Sequence, residues 1–347
     1  MAESESIMTG ERYDECHQPA GRVGGQRWQA QPFDATHGDR PVRGRGRASD
    51  GDEPANLFDQ GAHGESGKVG ENGGQGAENG WWKRIVVCGD DFGMNAGIDA
   101  GMLRLARLGR LSAISCLTQG PTFAAHGPDL RDLDLDRGVH LNLTEALGNA
   151  AQAAVMPLPA LIARAYAGRL DDTWLDEQLV RQFDAFESVM GRAPDYVDGH
   201  QHVHQLPGVL GRLQCLLQRR YGQRAPWLRY TAPGMQEGIP LRESAKARLI
   251  GALGAGAVAR VARREGWRTN RRLLGVYDLQ GGPRRYAGLL QHWLNNARDG
   301  DLLMCHPALP GAGDALARQR AAEYEVLARP ELGDWMRLNG VRVARPS

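Results

Sequence analysis

From residue 82 onward the apolar positions follow two rhythms. Short apolar runs bounded by Gly, Pro or Asp read as strands over residues 84–89, 111–118, 138–144, 194–198, 227–231 and 301–306. Between them lie stretches with helical spacing: residues 96–108, 175–190 with Leu179, Phe183 and Phe186 on one face, 209–221 after Pro207, 286–297 and 314–327. Strand and helix keep alternating, which is the pattern of βα units around a parallel sheet. No repeat of fixed period interrupts it.

The first 81 residues differ in texture. Residues 1–80 hold 16 glycines but only seven Leu, Ile, Val or Phe. That composition cannot bury enough apolar surface to offset the entropy of ordering, so a disordered Gly-rich tail over 1–81 is expected, followed by one domain over 82–347. His17, His37 and His63 fall in this tail without the spacing of a site.

Charge narrows the function classes. The 42 Lys and Arg nearly cancel the 41 Asp and Glu, so no basic excess points to nucleic acid or to a membrane surface. The longest uncharged apolar run, residues 249–259, is 11 residues long and contains three glycines, short of the roughly 20 a membrane span needs. Five scattered cysteines lacking C-x-x-C spacing indicate neither a disulfide framework nor a thiolate zinc site. With no basic, apolar leader at the N-terminus, a cytoplasmic setting is expected. The first strand runs into Asp-Asp-Phe-Gly rather than a glycine-rich phosphate loop, which argues against nucleotide binding.

Candidate chemistry falls at strand ends, where α/β barrels and open sheets build their sites. Four places stand out: Asp90 and Asp91, His140, the run Asp198-Gly-His-Gln-His-Val-His204, and His306 behind Leu302-Leu-Met-Cys305. In an extended segment His200, His202 and His204 would share a face. Clustered imidazoles with one carboxylate make a metal set that leaves positions open for water and substrate, as a catalytic site requires. Adjacent side chains leave an extended backbone in opposite directions, so one of Asp90 and Asp91 can bind metal while the other handles protons. Blander readings exist beside these: an Asp after a strand often caps the next helix, His306 can be a buried, satisfied ring, and Trp174 and Trp227 pack by default although they could stack on sugars.

Taken together, Ile85-Val-Val-Cys-Gly-Asp-Asp-Phe-Gly93, Gly138-Val-His-Leu-Asn-Leu-Thr144, Asp198-Gly-His-Gln-His-Val-His204 and Met304-Cys-His-Pro307 resemble the YdjC-like carbohydrate deacetylases. That family includes chitooligosaccharide deacetylases and hopanoid-biosynthesis deacetylases. The resemblance covers residues 83–343 and keeps the family's motif order. It implies an α/β fold, a distorted (β/α) barrel of TIM-barrel-like form, holding one divalent cation on Asp91, His140 and His200. It further implies Asp90 as general base, His306 as general acid, Arg229 facing substrate, and His202 and His204 supporting the ligands or touching substrate. The acid and base assignments are reversible. Zinc or magnesium leads among the metals, with manganese, cobalt and nickel also compatible. The Arg- and Ala-rich stretch 243–272 has no counterpart in the family pattern.

The expected activity is hydrolysis of the N-acetyl group of an acetylated amino sugar, either chitooligosaccharide-like or a lipid-linked glucosamine. A homodimer is compatible with the sequence. Two alternatives stand beside this: a metal-dependent hydrolase of another amide or a phosphoester, and a non-catalytic metal- or sugar-binding protein on the same fold.

Overall fold

The computed structural model describes residues 82–147 and 155–346. The tail expected over 1–81 lies outside the described residues.

Strands β1 (Lys83–Phe92), β2 (Ala113–Cys116), β3 (Asp136–Leu141), β4 (Tyr196–Gly199), β5 (Trp227–Leu228), β6 (Leu273–Leu274) and β7 (Leu302–Cys305) form one sheet in the order β5-β4-β3-β2-β1-β7-β6. Strand β8 (Val341–Val343) pairs with the start of β1, and all of these pairings are parallel. The sheet's two ends approach each other through bridges between Leu228 and Thr269 and between Pro233 and Leu273. The result is a curled, incompletely laddered barrel.

Helices α1 (Ala96–Arg107), α2 (Phe123–His126), α3 (Leu158–Tyr166), α4 (Asp172–Met190), α5 (Val209–Tyr221), α6 (Leu241–Ala252), α7 (Ala255–Glu265), α8 (Gly282–Asn296), α9 (Ala317–Ala328) and α10 (Pro330–Leu338) surround it. Local sequence sets several of their ends. The side chain of Asn95 accepts from the amide of Ile98 to start α1, whose first turn carries Asp99 and whose last turn carries Arg104 and Arg107, as the helix dipole favours. Asp171 caps α4 in the same way, and Gly191 in the left-handed region ends it.

Both faces of the strands are covered, which is why they read as continuous apolar runs. Alternate residues of β1 divide between two layers: Ile85 and Val87 pack against the helices, while Val86 and Cys88 join Ala113, Tyr196, Trp227, Leu302 and Met304 inside the barrel. Tyr196 and Trp227 stack there with ring centroids 4.3 Å apart. Trp227 also donates its indole N–H to Asp136. It is therefore a packing residue.

The six expected strands and five expected helices are all present. Strands β6 and β8, of two and three residues, were too short to register as periodic, and α2, α3, α6, α7 and α10 were not expected. The unmatched stretch 243–272 proves to be most of α6, α7 and the approach to β6. No helix among the described residues is long and apolar enough to cross a membrane.

Candidate active site

The site begins where β1 ends. Register against β2 shifts between Gly89 and Phe92, a bulge of the kind that re-aims side chains. Asp91 sits at φ 79, a conformation uncommon for a residue with a side chain and one that surrounding contacts must hold. The next turn uses Gly93 at φ 97, where a Cβ would lie 2.8 Å from the carbonyl of Leu117. The amide of Gly93 donates to Asp99 of α1 at 2.6 Å, and Asp99 in turn meets His126 at 2.7 Å. The bulge thus brings both adjacent aspartates to one cavity, which a regular strand would not do.

Asp91, His140 and His200 each present a ligand atom within 4.8 Å of the others. Oδ1 of Asp91 lies 3.4 Å from Nε2 of His140 and 2.9 Å from Nδ1 of His200. The far side of each ligand is also held. Nδ1 of His140 meets Oδ1 of Asp198, its neighbour in register on β4, at 2.7 Å; Nε2 of His200 lies 3.1 Å from Glu145; Oδ2 of Asp91 accepts from Arg320 at 2.7 Å. Burial alone would lower both imidazole pKa values, but the carboxylates outweigh it, raising His140 to about 10 and His200 to about 9. For Asp91 burial pulls upward, and His200, His140 and Arg320 together hold it well below the usual carboxylate range. One ionised carboxylate and two imidazoles whose ligand atoms lie within 4.8 Å of one another form a donor set that fits a divalent cation.

Beneath the trio lies a buried polar layer. Arg229 donates to both oxygens of Asp90 at 2.6 Å, to Cys88 Sγ at 2.9 Å and approaches Oδ2 of Asp198 at 2.5 Å. Ser115 donates to the same Asp198 oxygen at 2.6 Å. Burial pushes Asp90 up, yet Arg229 overrides it and keeps the carboxyl below its ordinary range. Arg229 is itself fully buried and does not line the cavity. It sits under Asp90 and Asp198, two buried carboxylates that require a cation between them.

His306 lines the cavity at the end of β7. Its amide donates to Glu323 of α9 at 2.6 Å, and Glu323 also accepts from Tyr277. Burial lowers His306 to about 4 and raises Glu323 to about 7.

The histidine run is not extended. Residues His200–Gln205 form a short 3-10 segment with Gln201 and His202 at positive φ, so the three imidazoles diverge. His200 joins Asp91, and His202 lines the cavity. His204, fully buried, turns away and donates from Nε2 to the carbonyl of Arg229 at 2.9 Å. Of the expected site residues, Asp90, Asp91, His140, His200, His202 and His306 share one cavity, and Arg229 and His204 stand behind it.

That cavity has a volume of about 570 Å³. Its chemical end carries the residues above, and its wall is largely apolar: Leu158 and Ile162 of α3, Leu249 and Ile250 of α6, with Leu206, Leu253, Leu279 and Leu316. Tyr277 is its aromatic lining residue, 2% exposed. Sequence reasoning missed Glu145, Arg320 and Glu323. Arg320 and Glu323 reside on a helix near the chain's end, far from every strand-end motif. Glu145 directly follows the His140 motif and was the one with a local signal.

A family model described as YdjC-like protein matches residues 84–338. A carbohydrate deacetylase of Mus musculus is 29% identical over 297 residues, covering 75% of this chain and 93% of its own length. A chitooligosaccharide deacetylase of Yersinia enterocolitica is 31% identical over 133 residues, 37% of this chain and 53% of that protein. Among solved structures, a proposed cellobiose-phosphate cleavage protein of Enterococcus faecalis superposes with a TM-score of 0.55 at 19% identity, covering 76% of this chain and 97% of that one. That likeness speaks for the fold. With the family model running from β1 to α10 and taking in all four strand-end motifs, the chain belongs to the YdjC-like protein family.

Proposed function

We propose that this chain is a metal-dependent deacetylase that removes the N-acetyl group from an amino sugar. The observation that carries the reading is the joining, in one cavity, of a three-residue cation set with a proton-handling pair, Asp90 and His306. The names of the relatives support a carbohydrate substrate.

An amide resists hydrolysis because water is a poor nucleophile, the tetrahedral intermediate is anionic and the amine leaves badly unless protonated. A divalent cation supplies the Lewis acidity that answers the first two difficulties. Two imidazoles and a carboxylate favour zinc over magnesium, which prefers oxygen donors.

Proton transfer falls to the chain. In the assignment implied by the family resemblance, Asp90 takes a proton from the attacking water and His306, as imidazolium, gives one to the departing nitrogen. Two observations favour His306 in both proton steps. Asp90 is a weak base because Arg229 grips both oxygens, and burial keeps His306 neutral at rest. A neutral His306 can take the water's proton and pass it to the nitrogen, with ionised Asp90 steadying the imidazolium between the two steps. The pH profile separates them. Activity that needs neutral His306 is lost as pH falls, whereas activity that needs the imidazolium is gained.

The cavity wall favours an amino sugar with an apolar attachment, the lipid-linked class, over a free chitooligosaccharide. Its eight Leu and Ile side chains offer a face for hydrocarbon, and Trp174 and Trp227 do not line it. A cytoplasmic setting belongs to the same reading.

The test pairs turnover with cation binding in Asp90→Asn and His306→Asn. Both variants should bind a divalent cation like the wild type, and both should lose turnover by about 10²-fold or more. Unimpaired turnover in both would remove the proposed chemistry.

A further inference from the structure

Glu145 follows the His140 strand on a turn that is built rather than loose. Gln182 of α4 brackets Asn142, accepting from its amide at 2.8 Å and donating to its carbonyl at 2.9 Å. Oδ1 of Asn142 then accepts from the amide of Glu145 at 3.0 Å, while its Nδ2 donates to the carbonyl of Glu145 at 2.7 Å. The turn therefore fixes the backbone of Glu145 from both sides. At its end, Oε1 of Glu145 lies 3.1 Å from Nε2 of His200. That nitrogen is buried and no well-aligned hydrogen bond reaches it, so Glu145 is the acceptor at hand.

We infer that Glu145 is a positioning residue for the cation site: it fixes the ring of His200 so that Nδ1 faces Asp91, with Gln182 and Asn142 holding Glu145 in turn. The inference rests on the metal reading above. Asp198 does the same for His140, from Nδ1. The two histidines thus turn opposite nitrogens toward Asp91, and each turns its other nitrogen to a carboxylate. Charge and geometry act in one direction here. A carboxylate behind an imidazole makes it a stronger donor and restricts its rotation, so removing Glu145 weakens the site on both counts.

Glu145 has a half-exposed side chain on a surface turn, so its variants should fold. The experiment titrates metal-stripped protein with Zn(II) alone, in competition with a chromophoric chelator, for wild type, Glu145→Gln and Glu145→Ala, with thermal midpoints recorded without the ion. Glu145→Ala should weaken Zn(II) binding about 10- to 100-fold, and Glu145→Gln, which keeps an acceptor but no charge, should fall between it and wild type. The ion-free midpoints should stay within a few degrees of one another. Wild-type affinity in Glu145→Ala, beside a wild type that binds Zn(II), would overturn this inference and leave the metal reading standing. A wild type that binds no Zn(II) would overturn both.

Discussion

The guanidinium of Arg229 lies under Asp90 with a nitrogen 2.6 Å from each carboxylate oxygen, and the same side chain reaches Asp198, the partner of His140. One fully buried guanidinium therefore ties the proposed proton-handling half of the site to the proposed cation-binding half. Replacing it by Met leaves two buried carboxylates without compensation, a change that typically costs about 3–5 kcal/mol. Arg229→Met should lose roughly that much stability in urea unfolding, and a loss below about 1 kcal/mol would show that the polar layer is not organised by Arg229.

Asp198 holds Nδ1 of His140 at 2.7 Å and leaves Nε2 to face Asp91. In Asp198→Asn the amide no longer fixes that tautomer, and the charge that raises the ring's basicity is gone. Divalent cation affinity should fall by about 10- to 100-fold. Equilibrium dialysis against Zn(II) measures it, and an affinity equal to that of the wild type would contradict the assignment of Nε2 as the donor.

Glu323 provides a pH signature in stability. Its pKa rises from an ordinary 4.5 to about 7 because the carboxyl is buried. The folded state then binds the proton more tightly than the unfolded one, so this residue's contribution is fully present below about pH 4.5 and declines as pH rises through 7. Glu323→Gln cannot titrate. The stability difference between wild type and Glu323→Gln should shift against the wild type from pH 4.5 to pH 7.5 in chemical unfolding; a difference that stays flat would mean the carboxyl is not perturbed.

The apolar wall makes a prediction about substrate. Ile162→Ala removes hydrocarbon from the apolar wall of the cavity, at about 0.8 kcal/mol for each buried methylene equivalent. KM for an N-acetylglucosaminyl lipid should rise roughly tenfold, while that for N-acetylglucosamine stays put. Equal effects on both would place the wall outside the substrate's path.

Much of the candidate site is legible in the sequence because polar residues at strand ends stand out against apolar runs. Asp90, Asp91, His140, His200 and His306 were visible for that reason. What was not legible depends on three-dimensional reach. Arg229 follows a strand as a substrate-facing residue would, but its side chain turns inward, and only the burial of Asp90 and Asp198 explains why. The alternation of His200, His202 and His204 suggested a shared face, yet the positive φ of Gln201 and His202 breaks the strand period. Arg320 and Glu323 lie one helical turn apart on α9 and meet Asp91 and the His306 amide across more than 200 and across 17 positions respectively, distances at which local pattern carries no information. Strands β6 and β8 escaped because two or three residues cannot display a period.

The central claim is tested most directly by acetate release from an N-acetylglucosaminyl lipid and from N-acetylglucosamine oligomers. The purified chain is assayed as prepared, after EDTA, and after Zn(II), Mn(II), Co(II) or Mg(II) is restored. The account predicts acetate from the lipid-linked substrate, abolished by the chelator and recovered with Zn(II). Acetate release that persists undiminished after complete removal of the cation, or none from any N-acetyl sugar by a protein that binds the cation, would contradict it.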